Sequence, residues 1–297
     1  MKLIPMDKAV YTFSKSHEPV EHVSPGEVII LEAQDALGGQ VTSEDMPLDQ
    51  LDWSRVNPAT GPVYIEGAEE GDTLVVDILD IEVPDRGVCL VVPGHGALGQ
   101  HEFKSKTKFA EIRDGFVIYN GVKLLLQPMI GTIGVAPHGD PMPTAVPYKH
   151  GGNLDCKEVT IGARLYLPVA VDGALFAAGD LHAVQGDGEL CVAAVEIPGR
   201  IMLRFNVIKG RQPSWPILEY GDHFSIMTSD ESLDKAVEYA TLEAVEAIMK
   251  ATGWSFEESY IFSSLGVDVM INQVVDPKKG VRAIIPKSLV SIDAFLK

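Results

Sequence analysis

Between Arg164 and Ile197 three apolar runs are separated by the pairs Asp172-Gly173 and Asp187-Gly188. Asp-Gly suits both positive-φ positions of a type I′ turn, so the spacing predicts a meander of Arg164 to Val171, Ala174 to Val184 and Leu190 to Ile197. A tight first turn pairs Ala174 with Val171 and sets Asp180 opposite Leu165. In the middle run Asp180 and His182 lie two apart, so both side chains leave one face of the strand. An ionised carboxylate on an apolar strand is costly to bury, and a cation is its simplest compensation, with an Arg or backbone partner as the alternative.

The rest of the chain up to residue 228 reads as further short strands. Val28 to Leu31, Val63 to Ile65 and Thr73 to Val83 are apolar and rich in β-branched residues, and Phe116 to Tyr119, Val122 to Leu126 and Gly131 to Val135 follow. Four prolines between Pro137 and Tyr148 forbid regular structure there. The pattern changes at Ser229. Leu233, Val237, Ala240, Ala244 and Ile248 share one helical face, Gly253 ends that helix, and Ser255 with Glu258 has the spacing of a capping box that opens a second. Val267, Val269 and Ile271 then alternate with polar neighbours as a half-buried strand. The expected fold is mainly β, a sandwich or barrel-like body over residues 1–228 with a smaller α+β portion over 229–297.

A formal charge of −18 and a pI near 4.8 argue against nucleic acid or an anionic membrane surface as partner. Nothing approaches the length of an apolar membrane span, and Met1 to Val10 lacks the apolar core of a secretory signal. Cys89, Cys156 and Cys191 are an odd number without framework spacing, so a reducing, cytoplasmic setting is expected. Cys156 precedes Lys157, but strand alternation would put Lys157 on the face of Asp155 and leave Cys156 a buried, inert thiol.

Asp155, Asp180, His182 and Glu189 offer oxygen and nitrogen ligands without thiolate, which suits a divalent ion such as zinc or manganese. An ion with an open position lowers the pKa of bound water to about 7, and a nearby carboxylate can then relay the proton. Glu189 is the candidate for that relay. Plain structural roles compete: Asp187 fits a turn, and Asp155 could close one after the preceding glycines.

The segments GGNLD at Gly151 to Asp155, LYLPVAVDGALFAAGDLHAVQGDGE and AAVEIPG resemble the acetamidase/formamidase family of metal-dependent amidases. The likeness extends to DALGGQV at Asp35 to Val41 and GPVYIEGAEEGD at Gly61 to Asp72, so it covers most of the chain. GGN-x-D, GD-x-H and QGDGE in that order form a specific signal. The resemblance implies hydrolysis of small linear carboxamides to carboxylate and ammonia, a β-rich fold with a smaller α+β part, and a homodimer. The length and the VPGHGALG loop are closer to the acetamidase-like branch than to the longer formamidases. Carried over, the motifs make Asp155, Asp180 and His182 metal candidates and add Asp35. Asn153, Gln185 and His95 become candidates for holding substrate or orienting ligands. Zinc is the expected ion, with Mn or Ca as alternatives. Two other readings stay open: a cupin-like metalloenzyme of another reaction class, which would cluster more histidines than His182, and a calcium-stabilised binding module built on the GDGE turn.

Overall fold

Leu74, Val76 and Ile78 alternate along one strand with Val75 and Asp77, which gives Thr73–Glu82 two different faces. Leu74, Val76 and Ile78 join a core cluster of 37 buried residues lying between two sheets. Val75 points the other way into a second cluster of 16, shared with a helix. The computed structural model describes residues 1–297 and builds both layers around strands of this kind.

The first sheet has nine strands: Lys2–Ile4, Val28–Ala33, Gly199–Ile208, Thr73–Glu82, Arg164–Pro168, Ile217–Tyr220, His223–Asp230, Lys279–Pro286 and Asp268–Gln273. All neighbours are antiparallel except the first pair. The second sheet runs Val122–Leu125, Phe116–Tyr119, Lys106–Arg113, Arg86–Val91, Glu196–Ile197, Phe176–His182, Met129–Gly134 and Gly151–Asn153. Ala59–Ile65 also pairs with Phe176–His182 and carries the short flanking strands Ala9–Val10 and Glu21–Val23.

The sheet forks at Phe176–His182. Met129–Gly134 lines one edge along its length. The other edge is shared: Ala59–Ile65 pairs with Phe176 to Gly179, and Glu196–Ile197 pairs with Leu181 and His182. Asp180 stands between the two partners with φ 56°, a left-handed conformation that Asp tolerates better than most residues.

The helices stand where the pattern places them. Helix α1, Leu233–Thr252, is capped by Ser232 and ends at Gly253 with φ 74°. It begins after Asp230, because Ser229 belongs to the preceding strand. Its Ala236, Ala240, Ala244 and Ile248 pack on the outer face of the nine-stranded sheet. Helix α2, Phe256–Gly266, opens on the expected Ser255–Glu258 capping box. The division expected at 228/229 falls inside strand His223–Asp230, and the two C-terminal strands extend the same sheet as the body. Strand Asp268–Gln273 is the outermost of that sheet, and its Val269, Met270 and Ile271 are all exposed rather than half-buried.

The meander does not form. Arg164–Pro168 lies in the first sheet and Phe176–His182 in the second, so Asp180 never faces Leu165. Positive φ occurs at Gly173, Ala174 and Leu175, not at the Asp172-Gly173 pair of a type I′ turn, and the segment carries the chain across the core. Both apolar runs are flanked by strands on both edges, so neither edge is free for the other. The second pair is not a hairpin either. Residues 183–195 form a loop in which Gly188 bridges to Gln273 and Asp187 pairs with Lys157 and Arg282. Lys157 therefore does not join Asp155, because the strand ends at Asn153 and alternation stops there. Cys156 is buried as expected, its thiol pushed up to about 11 by burial.

One buried histidine couples this fold to pH. His150 has no hydrogen-bond partner on either ring nitrogen and lies edge-on to Phe13. Burial lowers it to about 4, with the Lys278 charge adding to the effect. Below its unfolded value of about 6.5 the unfolded chain binds a proton that the folded chain refuses until about pH 4, so stability falls across that window. Integrated from pH 7 to 4.5, the loss is about 2–3 kcal/mol. His150→Phe should remove this loss. Urea denaturation at the two pH values checks it, and an equal pH dependence in both proteins would contradict it.

Candidate active site

Phe176–His182 is apolar except for Asp180 and His182, and both side chains emerge at the fork into a cavity of about 430 Å³. His182 Nε2 lies 3.2 Å from Asp180 Oδ1, 3.2 Å from Glu196 Oε1 and 3.9 Å from Asp155 Oδ1. Glu189 comes in from the loop that follows. Two overlapping sets, Asp155 with Asp180 and His182, and His182 with Glu189 and Glu196, each bring their ligand atoms within 4.8 Å of one another. Every one of these residues is buried.

Local sequence explains how they converge. In Gly151–Asn153 the second glycine has φ 92°, and a Cβ there would lie 2.2 Å from the Val146 carbonyl oxygen. Only glycine permits that path, which delivers Asn153 beside Thr132 and turns the chain so that Asp155 faces the cavity. Gly131 leaves the space beneath: a Cβ would stand 2.6 Å from Asp155 Oδ1 and 2.8 Å from Asp180 Oδ2.

The histidine is oriented from behind. Gln185 Nε2 donates to the carbonyls of Asp155 at 2.6 Å and Asn272 at 3.2 Å. Its Oε1 therefore faces His182 Nδ1, 2.7 Å away, and Nδ1 must be the donor. That arrangement turns Nε2 toward the carboxylates, as a metal-binding imidazole requires. Asp180 is held by Asn57 Nδ2 at 2.7 Å, and the Thr132 hydroxyl lies 3.2 Å from the same Oδ2, its one proton shared with the shorter bond to Asn153.

The charges are poorly compensated by the chain itself. Burial pushes Asp155 up to about 7, with Asp180 adding to the shift and His182 opposing it. Burial pushes Glu196 up to about 8 against the pull of His182. Burial and the Asp155 charge raise Glu189 well above the usual carboxylate range. Burial also opposes ionised Asp180, but His182, Glu196 and Asn57 together hold it low. Burial would lower His182, yet Glu196 and Asp180 raise it well above its usual value. No N–H or hydroxyl of the chain donates to either oxygen of Asp155, to Oε2 of Glu189 or to Oε2 of Glu196, and the carboxyls stand near enough to share protons only among themselves, Asp155 with Glu189 and Asp180 with Glu196. Unpartnered buried oxygens converging with one imidazole nitrogen fit a divalent cation of the zinc or manganese type.

The remaining candidates stand elsewhere. Asp35 Oδ1 accepts from the backbone of Leu37 at 2.8 Å and Gly39 at 3.2 Å, closing its own turn outside both converging sets. His95 is exposed at the cavity mouth, stacked on Trp53. Asn153 lines the cavity, but its Oδ1 accepts from Thr132 at 2.7 Å and its Nδ2 donates to Asp276 Oδ2 at 3.0 Å. Asn57, Glu196 and Asp276 are site residues that the sequence reading missed. Glu196 lies within AAVEIPG, an acidic residue in an apolar run like Asp180, and the same argument would have found it. Asp276 sits in VVDPKKG, where Asp-Pro reads as a plain turn.

The Acetamidase/Formamidase family profile matches residues 7–143 and 139–292. The chain belongs to that family. It is similar to an acetamidase from Bacillus halodurans, with 41% identity, 96% of this chain and 97% of the other covered, and a TM-score of 0.93. A predicted acetamidase/formamidase from Thermoanaerobacter tengcongensis gives 40% identity, 99% and 97% coverage, and a TM-score of 0.94. A formamidase from Methylophilus methylotrophus is 28% identical over 86% of this chain and 82% of its own length.

Gln185 offers a test of this geometry that needs no substrate. Gln185→Leu should leave the chain folded but free the His182 ring, so that, with His182 as a ligand, added zinc would bind about 10- to 100-fold more weakly than to the unaltered chain. Competition with a calibrated chelator measures this, and an unchanged affinity would show that the Gln185 contact does not orient a ligand.

Proposed function

We propose that this member of the acetamidase/formamidase family is a metal-dependent hydrolase of small linear carboxamides, releasing carboxylate and ammonia. The observation that carries the reading is the convergence of unpartnered, buried carboxylate oxygens with His182 Nε2 in a cavity. Asp155, Asp180 and His182 would hold the ion, with Glu196 beside them. Zinc is the favoured ion because an imidazole takes part, and it would supply Lewis acidity toward the carbonyl oxygen and a lowered water pKa.

The chain's own groups do the rest. An amide resists water because its nitrogen donates into the carbonyl, the resonance behind the peptide rotation barrier of about 18–20 kcal/mol. As the tetrahedral carbon forms, that donation ends and nitrogen becomes basic. Glu189 Oε2, without a partner in the chain, takes a proton from the attacking water and returns it to nitrogen, so that the C–N bond breaks with ammonia as the leaving group. A carboxyl raised by burial is suited to both halves of that relay. Gln185 acts through His182, and Asn153 through Asp276.

The same reading includes a cytoplasmic homodimer. No helix is long and apolar enough to cross a membrane. Helix α2 leaves Phe256, Tyr260, Ile261 and Leu265 exposed, and the strand that follows it, Asp268–Gln273, is the outermost of its sheet, so a second copy would have apolar surface and a free strand edge to cover.

Ammonia release from acetamide and formamide tests the chemistry. Chelation should abolish it and zinc or manganese should restore it, while full activity in metal-free protein would contradict the metal dependence. Glu189→Gln should lower kcat about 10²- to 10⁴-fold with metal still bound. A wild-type kcat would remove Glu189 from the relay.

A further inference from the structure

Asp276 is a buried carboxylate that the metal cluster does not use. It lies on the turn between strands Asp268–Gln273 and Lys279–Pro286 and reaches the cavity from the side of the C-terminal strands. Its backbone is clamped. Gln273, fully buried, accepts through Oε1 from the N–H groups of Val275 at 2.9 Å and Asp276 at 3.0 Å, and donates through Nε2 to the Lys278 carbonyl at 2.6 Å. Lys279 Nζ donates to the Asp276 carbonyl. The side chain is fixed as well, because Asn153 Nδ2 holds Oδ2 at 3.0 Å and Asn153 is itself held by Thr132.

No group of the chain donates to Oδ1, and Asp276 lines the same cavity as Asp155, Asp180, His182 and Glu189. Its carboxylate is not among the ligand atoms that converge on His182. The molecule thus holds a fixed carboxyl in the cavity wall, with one oxygen that neither the chain's donors nor the converging sets use. Burial and then the Asp155 charge raise Asp276 well above the usual carboxylate range, and the cation of the amidase reading would favour its ionised form. Once ionised, a carboxylate only accepts, so its partner must be a donor. A small carboxamide has one donor group, its NH₂.

We propose that Asp276 Oδ1 receives the NH₂ of the amide substrate and makes the site selective for primary amides over esters of the same acyl group. The inference rests on the amidase reading above. Binding of the NH₂ orients the nitrogen, and an ester would set an oxygen lone pair against the carboxylate in its place. A site built to pair with a donor rejects the analogue that lacks it, because its own polar group is then left unpaired. Asn153 is a positioning residue in this scheme, since it fixes Asp276.

Asp276→Asn tests the assignment, because Asn retains an oxygen for Asn153 and turns an NH₂ into the cavity in place of the acceptor. Its kcat/KM for acetamide should fall about 10- to 100-fold, the value of one charge-assisted hydrogen bond. The inhibition constant of methyl acetate against acetamide turnover should stay the same or tighten. Zinc content and melting temperature should match the wild type, and Asp276→Ala should lose acetamide kcat/KM similarly without gaining ester affinity. If the wild type turns over acetamide and Asp276→Asn leaves kcat/KM unchanged, or weakens acetamide and ester alike, the assignment is overturned while the amidase reading stands. A wild type without any amide turnover would remove both.

Discussion

Five carboxyl groups, Asp155, Asp180, Glu189, Glu196 and Asp276, are buried around one imidazole. Two like charges about 5 Å apart repel by about 3 kcal/mol at an effective dielectric of about 20, and several such pairs exceed what one His182 offsets. Protonation relieves part of this: burial first, and then the Asp180 charge, push Asp155 up to about 7 and Glu196 to about 8, the latter against the pull of His182. A divalent cation relieves it more completely and also satisfies the oxygens that lack hydrogen bonds. The rest of the structure follows from the need to bring these groups together while keeping them in place.

The sandwich does so by forking one sheet. Where Ala59–Ile65 leaves the edge of Phe176–His182 and Glu196–Ile197 takes over, the ladder opens at Asp180 and side chains from both partner segments enter the gap. Asn57 arrives from just before the first and Glu196 from the second. The opposite edge contributes Thr132 and, through Gly151–Asn153, Asn153. The nine-stranded sheet closes the cavity from its C-terminal end with Asp276 and Lys279. Behind the site, buried Arg282 ties Asn272, Asp187 and Glu158 together, so the strand carrying the Gln185 contact is braced by the same sheet.

Much of this was legible in the sequence where local periodicity decides the outcome. Strand Thr73–Glu82, the α2 capping box and the Gly253 stop follow from patterns within a few residues of themselves. Asp180 and His182 share a face because a strand of any pairing puts residues two apart on one side. The Asp-Gly turns misled because hairpin and crossing use similar residues, and only the edges already taken by distant strands distinguish them. Glu196 carries the same local signal as Asp180, an acidic residue in an apolar run, but its place beside His182 is set by strand register, and Asp276 is brought in by sheet closure, which no local pattern encodes. Asp35 is spent on the N–H groups of its own turn, a contact that its motif does not reveal.

The central claim is that a divalent ion sits among Asp155, Asp180, His182 and Glu196. Anomalous diffraction from crystals of the zinc-loaded protein, collected on both sides of the zinc absorption edge, locates it directly. The account predicts one strong peak within coordination distance of His182 Nε2 and an oxygen of Asp155. A peak confined to the surface, with the cavity oxygens paired to water or protonated among themselves, would contradict it.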